Sequence, residues 1–133
     1  MKIGICGTGK MGSEIAKRLI ESDQDITVWN RTQSKASLLI NHGAKIASNI
    51  SELVKKNDII LCIMGDDIAL DYVYNTIDGF KNSDLSNKII IELSTTSVEK
   101  IKSLQKIIIN LNGEFIECPV GGSTKPARDG NLL

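Results

Sequence analysis

The chain has 133 residues, the size of a single domain that hides about 68 per cent of its unfolded surface. Its 16 basic and 16 acidic residues cancel, so no global field draws it to nucleic acid or anionic lipid. No apolar run approaches the roughly 20 residues that span a bilayer, and Lys2 leads straight into a strand rather than a signal-peptide core; a cytoplasmic protein with small-molecule partners is expected.

A first strand is predicted over Ile3–Cys6, followed at once by Gly7, Thr8, Gly9, Lys10, Met11 and Gly12 and by a helix over Met11–Ile20, whose Ile15, Ala16, Leu19 and Ile20 recur at helical spacing. Between a strand and a helix, G-x-G-x-x-G reads as a dinucleotide cradle. Gly7 lets the chain turn sharply, Gly9 lets backbone approach a pyrophosphate, and Gly12 lets helix and strand pack closely. The anion sits on free N–H groups at the positive end of the helix dipole.

The second strand, Ile26–Trp29, ends on Asn30, Arg31 and Thr32. Chains that hold NAD place an acid about 20 residues after the glycines to bind the ribose 2′-hydroxyl. None stands here. A guanidinium between two short polar side chains suits a 2′-phosphate instead, so NADP(H) is expected in preference to NAD(H). Trp29 reads as packing rather than as a stacking platform.

A helix over Gln33–Asn41 is stopped by Gly43 after His42, the only histidine, which is read as a surface residue near the helix end. A strand follows at Ala44–Ile46, then a helix at Ile50–Lys55 capped by Asn49 or Ser51, then a strand at Ile59–Ile63 that exits on Met64, Gly65, Asp66 and Asp67. The two acids open a helix over Ile68–Thr76 and read as N-terminal caps, not as a metal or acid–base pair. A strand at Lys88–Ile91 leads to Ser94, Thr95 and Thr96, a helix capped by Ser97 runs over Val98–Asn110, and a last strand spans Glu114–Ile116. From Pro119 to Gly130 the glycines and Pro126 predict a loop. Continuous apolar runs such as Ile59–Ile63 and Ile89–Ile91 need cover on both faces. The fold class is therefore α/β, a Rossmann-type doubly wound, mostly parallel sheet with helices on both faces and ligands at the carboxyl ends of its strands. Cys6, Cys62 and Cys118 each close an apolar run and are expected to be small buried hydrophobes in a reducing compartment; Cys118 has no histidine nearby and reads as inert.

Four segments in order resemble the beta-hydroxyacid dehydrogenase family, which includes 3-hydroxyisobutyrate and 6-phosphogluconate dehydrogenases. They are the turn Gly7–Gly12, the W-N-R-T segment Trp29–Thr32, the L-S-T segment Leu93–Thr95, and the loop Cys118–Gly130. Lys125, Pro126 and Ala127 make that loop most similar to the glyoxylate and succinic semialdehyde reductase branch. The resemblance implies that residues 1–133 are the NADP-binding domain, that Thr95 contacts the cofactor near nicotinamide, and that Gly121, Gly122 and Ser123 grip a substrate carboxylate. Gly121 departs from the family, which has serine there. The resemblance also implies a following all-helical domain that carries the catalytic lysine, so no catalytic residue and no metal ligand is expected within residues 1–133. The substrate would be a small aldehyde, keto acid or hydroxy acid, and apolar surface facing the helical domain would favour self-association. Two alternatives stay open: a non-catalytic NADP-binding or partner module, and an imine reductase, against which the Gly121–Ser123 loop argues.

Overall fold

The structure, a computed structural model, describes residues 1–133. Six strands, β1 Lys2–Cys6, β2 Asp25–Trp29, β3 Lys45–Ile46, β4 Ile59–Cys62, β5 Ile89–Glu92 and β6 Glu114–Glu117, form one parallel sheet in the order β3-β2-β1-β4-β5-β6. Strand order reverses at β1, which pairs Ile3 with both Ile26 and Ile59. Such a switch point opens a crevice beyond the strand ends.

Alternation along the strands sends side chains to two cores. Ile5, Ile26 and Val28 meet Ile15 and Ala16 of α1 (Lys10–Glu21), Ala36 of α2 (Gln33–Ser37) and Ala127 of α6 (Thr124–Asp129). On the opposite face Cys6, Ile60, Cys62 and Ile90 meet Leu53 of α3 (Ile50–Lys56), Leu70 and Val73 of α4 (Asp67–Asn75) and Leu104 of α5 (Val98–Asn110). Trp29 is buried in this second core. Each fully buried aliphatic or aromatic side chain there contributes about 1.5–3 kcal/mol. Tyr74 and Phe80 add an edge-to-face contact at 4.9 Å between ring centres.

Helix starts follow local chemistry. Asn49, Asp66 and Ser97 accept hydrogen bonds from the N–H groups of Glu52, Ala69 and Lys100, capping α3, α4 and α5. Gly43 takes the left-handed conformation expected of a helix stop.

Four expectations need correction. The predicted Gln33–Asn41 helix breaks into α2 and a 3-10 turn at Ile40–His42. The Pro119–Gly130 loop contains α6: Pro126 stands in its first turn, where its missing N–H costs nothing, and Gly130 ends it at φ +74°. Cys118 is exposed, because β6 is an edge strand with three of its four residues in solvent. Finally, the α1 face of β5 lacks full cover: Ile89 and Ile91 are half-buried and Ile116 beside them is 46% exposed. No helix of the molecule is long and apolar enough to cross a membrane.

Candidate functional site

A groove runs along the carboxyl ends of β2, β1, β4 and β5. One cleft of about 180 Å³ lies between Gly7, Gly9, Arg31, Lys35, Met64 and Tyr72. A second of about 340 Å³ continues past Lys10, Met11 and Gly12 to Ser94, Thr95 and Val120. Gly9, Ile63, Met64 and Gly65 line both.

Sterics explain the glycine turn. Gly7 holds φ +107°, and a Cβ on it would strike the Ile63 carbonyl; a Cβ on Gly12 would strike the Gly7 carbonyl. A Cβ on Gly9 would meet nothing within 4 Å, since it would project into the groove itself. Gly9 is the N-cap of α1, with no side-chain cap and no acid in the first turn. The leading N–H groups of this helix are thus left without intrahelical or side-chain partners, a geometry suited to a bound diphosphate.

Asn30 joins the two loops. Its Oδ1 accepts from the Thr8 N–H at 3.0 Å and its Nδ2 donates to the Thr32 carbonyl at 3.0 Å. Both ends of its amide are therefore committed to the protein. Thr8 is buried, and its Oγ1 is the one buried side-chain polar atom in the molecule without a hydrogen-bond partner. Arg31 is exposed, forms no ion pair, and rests its guanidinium 5.6 Å from the Tyr72 ring centre. Thr32 precedes α2 as its N-cap without a side-chain bond. Lys35 and Tyr72 belong to no motif of the sequence; Lys35 reaches the cleft from α2, four residues after Arg31.

The far end of the groove is held from beneath. Glu92 is fully buried and accepts hydrogen bonds from the Tyr74 hydroxyl at 2.9 Å and the Ser94 N–H at 3.1 Å. Burial pushes its carboxyl pKa up, against the pull of the Ser94 and Tyr74 bonds. Ser94 Oγ in turn accepts from the Met64 N–H at 2.8 Å, which fixes Met64 at the junction of the clefts. Thr95, one residue on, is exposed. Nothing in the sequence pattern marked Glu92, an acid inside an apolar run.

Gly121, Gly122 and Ser123 do not line either cleft; they follow Val120 at its edge. Gly121 exchanges backbone hydrogen bonds with Leu133, and Ser123 is the N-cap of α6. Asp66 caps α4 and Asp67 accepts from the Thr96 hydroxyl.

Residues 2–133 match the family model described as the NAD binding domain of 6-phosphogluconate dehydrogenase. The chain is 34% identical over its whole length to glyoxylate/succinic semialdehyde reductase 1 of Arabidopsis thaliana, covering 46% of that protein. Among solved structures it resembles Psf3 in complex with NADP+ and 2-OPP, with a TM-score of 0.91 and 29% identity over 98% of this chain and 46% of that one. It also resembles an imine reductase from Pseudomonas sp., with a TM-score of 0.87 and 27% identity over 94% of this chain and 43% of that one. The chain spans less than half the length of each of these relatives.

Proposed function

The chain belongs to the family of the NAD binding domain of 6-phosphogluconate dehydrogenase, and from that premise we propose that residues 1–133 hold NADP(H) in preference to NAD(H) for the reduction of a small aldehyde or keto acid. The observation that carries this reading is Arg31. It stands without a carboxylate partner at the end of β2, with Lys35 on the same cleft, where a chain selective for NAD needs an acid.

In this reading the N–H groups at the start of α1, from Gly9 through Lys10, Met11 and Gly12, hold the diphosphate. Arg31, Lys35 and Thr32 face the 2′-phosphate, while Asn30 fixes the cradle by binding the Thr8 N–H. Met64 forms the floor and Thr95 offers its hydroxyl at the nicotinamide end. When bound, the dinucleotide supplies a hydride. Gly121, Gly122 and Ser123 grip the substrate carboxylate at the groove's edge through backbone N–H groups and a hydroxyl. A lysine outside residues 1–133 protonates the carbonyl oxygen, so these residues alone bind dinucleotide without reducing the substrate. The likeness to an imine reductase favours a second reading, in which the same groove serves imine reduction; turnover of a cyclic imine rather than a keto acid by the full-length protein would select it. A non-catalytic module would bind as tightly and turn over neither.

Fluorescence titration of the chain with NADPH and NADH tests the proposal. Tighter NADPH binding is expected, with Arg31→Asp lowering NADPH affinity about tenfold to a hundredfold, the worth of a charge-assisted hydrogen bond. An unaltered preference in Arg31→Asp would overturn it.

A further inference from the structure

Tyr72 is a large aromatic left 42% exposed on α4, so its burial adds little to the core. Its ring instead faces a cation from another element, the Arg31 guanidinium 5.6 Å from its centre. Both side chains line the same cleft with Lys35 and Gly9. Asp78 lines a neighbouring cleft with Arg31 and Tyr72 but forms no ion pair with Arg31. The aromatic face is thus what holds Arg31 in place, through attraction between a cation and the ring quadrupole.

We propose that Tyr72 is a specificity-determining positioning residue, which holds the Arg31 guanidinium at the mouth of the groove, oriented to receive a 2′-phosphate. The proposal rests on the dinucleotide reading of this site. An unrestrained arginine loses rotamer freedom when it captures an anion, and a guanidinium already parked on a ring loses less. Spacing separates this role from base stacking. Packed planes lie about 3.5 Å apart, so a base sandwiched between Arg31 and Tyr72 needs about 7 Å, more than the 5.6 Å present. The effect of the ring therefore falls on the phosphate that Arg31 binds.

The test measures the affinity of this chain for 2′,5′-ADP and for 5′-AMP, which differ by the 2′-phosphate alone, and takes their ratio. Tyr72→Leu is expected to lower that ratio about two- to fivefold, the worth of an exposed cation–π contact, and Tyr72→Phe to retain it, since the ring survives. In an Arg31→Leu background, Tyr72→Leu should leave the ratio where it stands, because the two side chains act as one unit. Equal losses for both probes in Tyr72→Leu would mean that the ring stacks on the base, and would overturn the proposal, as would a ratio that does not change. If the unsubstituted chain binds neither probe, the dinucleotide reading itself fails, a result distinguishable from failure of the Tyr72 role alone.

Discussion

The carboxylate of Glu14 on α1 accepts a hydrogen bond from Arg128 Nε on α6 at 2.7 Å, joining helices 114 residues apart in sequence. Glu14 is buried, 7% exposed, and also takes a 3.0 Å bond from Lys17. The helix that begins at the glycine turn is thereby pinned to the helix that follows Gly121–Ser123. Arg128→Ala is expected to lower the urea midpoint of unfolding modestly, because one end of the charge-assisted bond is exposed to solvent.

The same pair has a pH signature. The Arg128 hydrogen bond, then that of Lys17, holds the Glu14 carboxyl at about 2 against an ordinary 4.5. A depressed folded-state value means the contribution is full above pH 4.5 and drains away as pH falls towards 2. The stability gap between the unsubstituted chain and Arg128→Ala should be full at about pH 6 and largely closed near pH 2.

Two glycines of the turn should respond oppositely to the same change. Gly9→Ala adds a methyl group to open space at an ordinary backbone angle, so its melting curve should stay within about 0.5 kcal/mol of the parent, while dinucleotide affinity falls roughly tenfold or more because backbone can no longer approach the diphosphate. Gly12→Ala drives a methyl group against the Gly7 carbonyl and should lower stability by about 1–3 kcal/mol, as overpacking does. Calorimetry alongside NADPH titration separates the two.

Lys35 should matter less than Arg31. It contributes a point charge rather than a planar fork, so Lys35→Ala is expected to reduce NADPH affinity about three- to tenfold with NADH affinity the less affected of the two. Equal losses for both cofactors would contradict its assignment to the 2′-phosphate.

Glu92→Gln tests the buried acid. Burial raises the folded-state pKa of Glu92, so its charged form costs stability as pH rises above the ordinary carboxylate range. The substitution keeps the shape and removes that charge. Stability of Glu92→Gln relative to the parent should therefore grow from acid to neutral pH in parallel unfolding curves, whereas a difference that shrinks with rising pH would show that the Tyr74 and Ser94 hydrogen bonds outweigh burial.

Much of this molecule is legible in its sequence because backbone demands are local. Gly7, Gly12 and Gly43 sit where no side chain fits or where φ is positive, and Asp66 and Ser97 cap the helices they precede. The parallel sheet follows from the apolar runs of β4 and β5. Features that depend on what lies across a gap were not legible. Gly122, Pro126 and Gly130 read as loop residues, yet Pro126 stands in the first turn of α6 and Gly130 ends it. Cys118 reads as buried because its neighbours are apolar, but β6 is an edge. Tyr72 and Glu92 draw their surroundings from distant parts of the chain, the turn after β2 in one case and α4 in the other, and no periodicity records such a meeting.

The strand order has a consequence for how the groove comes into being. The glycine turn is written in the first twelve residues, but its floor, Ile63 and Met64, follows β4, and Thr95 follows β5. A chain leaving the ribosome at about 5–20 residues per second displays the glycine turn seconds before the wall opposite it exists, with the β4 edge of β1 unpaired throughout. Non-local pairing of this kind is slow to nucleate. Nucleotide should accordingly clamp the finished domain rather than template it, slowing unfolding far more than it speeds folding.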